Sequence, residues 1–395
     1  MRFRAIAAVT TVTVLAACNA TFTSVPGTSG TSSSNPTAAR LGLWPRPGPA
    51  ARVCGAVSVG YARCQAWIRT DVMGKMRGDV PNGYAPSDLQ TAYNLSSYSG
   101  SNGNGVVVAI VDAFDDPNAA SDLATYRAQF GLPACTGSSG CFTKHKFANT
   151  TNTGWAEEES LDVDMVSAIC PKCKILLVEA STASNSALSA AEKYATARAD
   201  YVSNSWSGNE GSKTYDGDYN VSGVAITAAT GDSGHNATAQ WPAILPTVIG
   251  VGGTTLSSVS PRSESAWSGA GSGCSAVYAK PSFQSGINTG CSDRAQADTS
   301  ADANPNTGVA VYDSFHQRGW LVFGGTSVAT PIVASVFALA GSTGTNNPGN
   351  LYSHASSLND VTSGNNGNCG APMCAAGTGW DGPTGLGTPN GIAAF

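Results

Sequence analysis

An α/β fold, with a mostly parallel, doubly wound sheet and helices on both faces, is what this sequence predicts. Two observations carry the expectation. Short runs at residues 106–111, 174–179, 224–229 and 247–251 are largely apolar, as strands buried on both faces are, and residues 201–205 read as a further strand. Stretches with helical spacing, at residues 117–130, 158–169 and 186–197, separate several of them. Strands joined through helices return parallel, and ligands of such sheets gather at the strands' carboxyl ends.

The chain opens with Met1-Arg2-Phe3-Arg4, a basic head, followed by a short apolar run over residues 5–17 that ends in small residues. That is the make-up of an export signal, and the run is too short to span a bilayer as a helix. Leu15-Ala16-Ala17-Cys18 resembles a bacterial lipobox, in which the cysteine takes a lipid and becomes the mature N-terminus. The alternative is ordinary cleavage at a small-residue site. Residues 1–18 are therefore expected to direct export, leaving the protein secreted or lipid-anchored to the cell envelope. Residues 19–51, rich in Ser, Thr, Gly and Pro, read as a flexible tether. Residues 52–81 read as a short cysteine-stapled segment, and the main domain is expected over residues 82–395, from a capped helix start in Gly83-Tyr84-Ala85-Pro86-Ser87-Asp88.

Of the 395 residues 42% are hydrophobic, ample for a large core. Only 12% are charged and the net charge is −5, which points away from nucleic acid. Membrane contact is expected only through a lipid on Cys18, and the protein is expected to be a monomer. Setting Cys18 apart from the 11 cysteines leaves an even set, as an oxidising compartment favours. They fall into neighbouring couples: Cys54 with Cys64, Cys135 with Cys141, Cys170 with Cys173, Cys274 with Cys291, and Cys369 with Cys374. Local disulfides are the simplest pairing, although Cys170-Pro171-Lys172-Cys173 also fits a redox pair or half a zinc site.

Chemistry is expected at Gly324-Gly325-Thr326-Ser327-Val328-Ala329-Thr330-Pro331. A small-residue turn there delivers Ser327 to the start of an apolar helix reaching Ala340, with Pro331 in its opening turn. First-turn N–H groups can stabilise an oxyanion, and glycines let the backbone approach a substrate. A plain Gly-Thr-Ser N-cap on a core helix is the competing reading.

Further upstream, Glu158 and Asp162 stand four apart on one helical face, on a stripe that continues into Val166 and Ile169. Part-buried carboxylates so close share a proton, which makes a general base with its orienter. Glu157 and Glu159 suit a helix N-terminus. Asp232, in Gly231-Asp232-Ser233-Gly234 just past a predicted strand, is either a turn residue or an acid kept protonated to donate to an oxyanion.

The motifs Glu158-Xaa-Xaa-Xaa-Asp162, Gly231-Asp232-Ser233-Gly234 and Gly324-Gly325-Thr326-Ser327, in that order, resemble those of the sedolisins, the serine-carboxyl peptidases. The resemblance covers Gly83 to the C-terminus. It implies a subtilisin-like fold, peptide or protein substrates, Ser327 as nucleophile, Glu158 as base, Asp162 as its orienter and Asp232 in the oxyanion hole. It also implies a Ca2+ site, with side-chain oxygens from Asp360 and Asp381 and backbone carbonyls from Val361, Gly377 and Gly379; hard oxygen ligands suit calcium. Sedolisins usually carry a large N-terminal pro-domain, and the stretch between Cys18 and Gly83 is too short for one, so a variant without it is expected.

Two rival readings stand beside this one. Asp112 closes Val108-Ala109-Ile110-Val111-Asp112, where a Ser-His-Asp enzyme would hold its aspartate, yet none of the four histidines lies in a Gly-Thr-His helix start. The other rival is a catalytically inactive, calcium-stabilised surface lipoprotein. The presence of Ser327, Glu158, Asp162 and Asp232 together argues against it. Residues 201–205, leading into Trp206-Ser207-Gly208, are expected to support a substrate backbone.

Overall fold

A computed structural model describes residues 47–211, 213–236, 238–341 and 347–395. The expected export signal, Cys18 and most of the tether lie outside the described residues. The main sheet grows to both sides of the Val107–Ala113 strand. From one edge it runs Phe142–Lys146, Lys174–Ala180, Val107–Ala113, Tyr201–Asn204, Ala225–Ala229 and Ile249–Val259, all parallel. Ile249–Val259 then pairs in parallel with Thr299–Asp302 and antiparallel with Arg262–Ala266.

Alternation along the strands feeds two cores. Val108 and Ile110 join Ile175, Leu177 and Tyr201 beneath helices Pro86–Ala92, Ala119–Gln129, Thr153–Ile169 and Thr326–Ala340. Ala109, Val111, Leu176, Val178 and Val202 instead meet Leu188, Ala191 and Ala195 of the Asn185–Thr196 helix on the other face. Each large apolar side chain buried this way contributes about 1.5–3 kcal/mol. An exposed ion pair contributes roughly 0–1 kcal/mol, so the two cores hold the domain.

Three expectations need correction. Asn152 accepts a hydrogen bond from Trp155 N at 3.2 Å and starts the helix at Thr153, a turn early, so Glu157, Glu158 and Glu159 are buried in its second turn. The apolar helix starts at Thr326, which places Pro331 inside it. Residues 257–323 hold strands such as Arg262–Ala266, Thr299–Asp302, Val309–Asp313 and Gly319–Gly324, several too polar to announce themselves in the sequence.

The largest correction concerns residues 50–81. The expected tether ends before Ala50, because Ala50–Arg52 pairs with Trp67–Arg69, which pairs in turn with Gly319–Gly324. Arg63–Cys64 pairs with Trp206–Asn209. The stapled segment is thus woven into the main domain rather than lying ahead of it. All five neighbouring cysteine couples are disulfides, and both Cys170 and Cys173 are buried, which leaves them no thiolate for redox exchange or zinc. Among the described residues no helix is long and apolar enough to cross a membrane.

Candidate active site

Ser327 stands in the first turn of the Thr326–Ala340 helix, after a glycine with φ +100° and ψ 161° at its N-cap. A Cβ at position 325 would lie 1.9 Å from the Gln65 carbonyl oxygen and 2.7 Å from Asp232 Oδ2, so only glycine fits. The helix N-terminus carries roughly half a positive charge, which favours an anion there. Pro331 has no N–H to offer the carbonyl of Ser327, four residues back. The Ser205 hydroxyl lies 3.3 Å from that oxygen and 2.7 Å from Asp162 Oδ1. A proline that interrupts the helix therefore ties the serine's backbone to the acidic pair.

Glu158 and Asp162 are both fully buried on the Thr153–Ile169 helix, which packs against the serine's helix. Burial raises both carboxyls well above the ordinary range. At Glu158 the neighbouring Asp162 and Asp112 add to the rise, while the nearby Ser327 hydroxyl opposes it. The Ser327 hydroxyl donates to Ser205 O at 2.9 Å, and both Glu158 oxygens are without a hydrogen bond among the described residues. A hydroxyl hydrogen rotates freely, so turning it toward Glu158 costs little. Asp112 is buried beside Asp162 and Glu179 and raised by burial first, then by those charges.

Asp232 follows the Ala225–Ala229 strand at its carboxyl end and is 3% exposed, so the strand-end expectation holds for it. Its Oδ1 accepts from Thr326 N at 2.8 Å and Thr326 Oγ1 at 2.7 Å. Its Oδ2 is buried with no partner among the described residues. Burial lifts its pKa to about 6 against those two hydrogen bonds and the positive charges of Arg52 and Arg63. With Oδ1 saturated by donors, a proton belongs on Oδ2. Sequence reasoning missed Thr326 as the group that orients this carboxyl, and missed Ser205, Gln65 and Arg52.

The histidines stand elsewhere. His145 stacks on Tyr194, His235 meets Ser272, His316 stacks on Phe315 and His354 meets Asn350. Among the expected calcium ligands, Gly379 N donates to Asp360 Oδ2 at 3.0 Å and Gly377 N to Asp381 Oδ2 at 3.2 Å, which ties Asp360 to the loop that carries Asp381. Val361 is buried beside Asp360. Asp381 is raised to about 7 by burial, opposed by bonds from Thr384 and Gly377 and reinforced by Asp360.

A parallel sheet with a serine on a buried helix facing carboxyls defines a subtilisin-like α/β protein. The Subtilase family (Peptidase_S8) matches residues 146–359. Kumamolisin of Bacillus sp. strain MN-32 is 30% identical over 358 residues, covering 79% of this chain and 63% of that protein. Sedolisin of Pseudomonas sp. strain 101 is 38% identical over 170 residues, 38% of this chain and 28% of that protein. The solved Pseudomonas sedolisin, a serine-carboxyl proteinase complexed with two molecules of pseudo-iodotyrostatin, matches with TM-score 0.66 and 26% identity, over 79% of this chain and 96% of that one. The chain belongs to the subtilase family and is similar to the sedolisins.

Proposed function

We propose that this protein is a serine-carboxyl peptidase that hydrolyses peptide bonds at acidic pH. The observation that carries the reading is the convergence of Ser327, Glu158, Asp162 and Asp232 in one buried cluster, with no histidine among the neighbours described for it. In the proposed reaction Ser327 Oγ attacks the substrate carbonyl carbon and passes its proton to Glu158, which Asp162 orients. The oxyanion rests between Ser327 N–H and protonated Asp232. As the C–N bond breaks, Glu158 returns the proton to the leaving amine; a water then repeats the sequence and frees the acyl group. The pair can accept that proton while it carries one negative charge, so it works as a coupled unit.

Asp360 and Asp381, with the carbonyls of Val361, Gly377 and Gly379, form the donor set for Ca2+ in this reading. Two neighbouring carboxyls, one of them raised by burial and then by the charge of the other, are what a divalent cation would relieve. Calcium would pin the C-terminal loops and takes no part in the chemistry. Export, a lipid on Cys18 and action as a monomer complete the proposal.

The test is hydrolysis of an unstructured peptide library under acid. Ser327→Ala and Glu158→Gln are expected to lose roughly 10⁴-fold or more, with melting temperature little changed. Alanine at each histidine should leave turnover intact. One dead histidine variant beside an active Glu158→Gln would install the Ser-His-Asp reading instead.

A further inference from the structure

Behind Glu158 and Asp162 a row of buried acids crosses the sheet toward its edge, and the proposed reaction uses only the front of that row. On the parallel strands Val107–Ala113 and Lys174–Ala180, Asp112 and Glu179 are register partners. Alternation sends both to the face of Val108, Ile110, Ile175 and Leu177, against which the Thr153–Ile169 helix packs. That helix sets Glu158 and Asp162 beside Asp112, and sets Glu159 beside Glu179, Asp112 and Asp116. The far end of the row is the Phe142–Lys146 edge strand. Its Lys144 Nζ lies 2.8 Å from Glu179 Oε1 and 2.7 Å from Asp115 Oδ1, and Lys146 Nζ lies 2.9 Å from Asp115 Oδ2.

Hydrogen bonds decide which of these carboxyls carries charge. Asp116 N donates to two of them, to Glu179 Oε1 at 3.0 Å and to Glu159 Oε2 at 3.2 Å. Glu179 Oε1 thus meets both that N–H and the Lys144 ammonium, so a negative charge belongs on Glu179. Glu159 Oε1 and Glu179 Oε2 are buried with no N–H or hydroxyl donor among the described residues. A proton on Glu159, given to Glu179, satisfies both, and the two side chains are hydrogen-bonded to each other. Burial raises both carboxyls. At Glu159 the charges of Glu179, Asp112 and Asp116 add to the rise, whereas at Glu179 the Lys144, Glu159 and Asp116 bonds oppose it, so Glu179 is the first of the two to ionise. The same need recurs at Asp112. Both its oxygens are buried without a partner, and so is Asp162 Oδ2, while Asp162 Oδ1 accepts from Ser205 Oγ at 2.7 Å. A proton on Asp112, given to Asp162 Oδ2, satisfies them. Asp112 keeps that proton because it stands between the charges of Glu179 and Asp162. The other charged neighbours are Asp122 and Asp313 beside Asp116, and Asp232 near Glu158.

We propose that Glu159 and Glu179 are positioning residues of the peptidase: a fixed negative charge on Glu179, anchored by Lys144, keeps protons on Glu159 and Asp112, so that the working charge of the site rests on Glu158 and Asp162. The role rests on the peptidase reading. Both residues are fully buried behind the pair and act on it through Asp112. Without the charge on Glu179, Asp112 ionises more readily, its donor to Asp162 is lost, and the first negative charge of the row settles on Asp112 instead of on the pair. Glu158 then stays protonated, unable to take the proton of Ser327, until a higher pH.

The experiment is the pH profile of kcat/KM on an unstructured peptide, read on its acid side, with a melting curve for each variant of the full-length chain. Glu159→Gln has the same shape as a protonated Glu159 and keeps a donor toward Glu179, so its profile should overlay the parent's. Adding Glu179→Gln to it removes the fixed charge and leaves no second acid beside Asp116 N to take that charge up. The acid limb should then move up by about one pH unit, which is about tenfold less kcat/KM on the acid slope, with KM little changed. Lys144→Met removes the anchor and should move the limb the same way, while Lys144→Arg should restore it. A pair that only holds the fold together would lower Tm and leave the limb in place. A limb that stays put or moves down, in the folded double variant or in Lys144→Met, overturns the inference, as does Glu159→Gln alone moving it as far as the double variant does. If the double variant does not fold, Lys144→Met decides, since Lys144 is partly exposed. A parent that hydrolyses no peptide at any pH sinks the peptidase reading and this role with it, whereas an active parent whose variants keep its acid limb sinks the role alone.

Discussion

At the scale of single residues the site depends on which oxygen of Asp232 holds a proton. Thr326 donates twice to Oδ1, which leaves Oδ2 to carry the hydrogen that meets an oxyanion. Its pKa of about 6 sits well above the ordinary carboxyl range because the group is buried, so peptide hydrolysis should fall as pH rises past about 6. Asp232→Ala removes the donor and should cost ~100-fold or more in kcat. Asp232→Asn keeps an N–H donor that does not titrate, so its kcat/KM should hold through neutrality where the parent's declines. Identical high-pH limbs in the parent and the Asn variant would remove Asp232 from the oxyanion hole. Ser327, Glu158, Asp162 and Asp232 were all legible in the sequence, because each type is costly to bury without a task and each lay on a recognisable turn or stripe. Ser205, Thr326 and Gln65 were not. A hydroxyl or a backbone carbonyl carries no pattern of its own, and only the fold shows which carboxyl it meets.

At the scale of elements, the C-terminal loops offer the most direct test. Asp360 and Asp381 are joined to Gly379 and Gly377 across two loops far in sequence from the serine, so a bound Ca2+ would act on stability. At calcium a hundredfold above its Kd the gain is about 2.7 kcal/mol, or several degrees of Tm. Chelation should remove it, and Asp360→Ala should melt at the same temperature with or without calcium. A parent whose Tm ignores calcium speaks against the site. The same elements show what a single sequence can reveal. Lys174–Ala180 and Ala225–Ala229 were found because strands buried on both faces are apolar over most of their length. Phe142–Lys146, an edge strand reading Phe-Thr-Lys-His-Lys, was missed because all but its first residue are polar or charged, as on edges they tend to be. The helix start at Thr153 was misplaced because the acidic trio imitated a first turn, whereas Asn152 supplies the cap.

At the scale of the whole molecule, the interior is acidic to an unusual depth, and that makes stability itself depend on pH. Burial raises Asp232 to about 6, Asp116 and Glu157 to about 7 and Asp313 to about 8. Glu158, Asp162, Asp112 and Glu159 are raised as well, again by burial first. In each the fold holds a proton more tightly than the unfolded chain does, whose carboxyls titrate near pH 4. Their stabilisation is therefore complete below about pH 4 and is lost as pH climbs through about 6 to 8. Asp71 and Asp115 have lowered values and act in the opposite sense, but both lie near the surface, and their contribution fades only below about pH 4. Thermal scans at fixed calcium should give a higher Tm at about pH 5 than at about pH 8, the reverse of a protein whose carboxylates are paired with cations. A Tm that rises from acid to neutral pH would show that the buried carboxyls are ionised in the fold. The scans also separate two causes of lost activity, since Asp232 should stop donating near pH 6 while the rest of the acidic interior still holds the fold. If turnover falls before Tm does, the oxyanion donor sets the upper pH limit. If the two fall together, unfolding of the acidic core sets it.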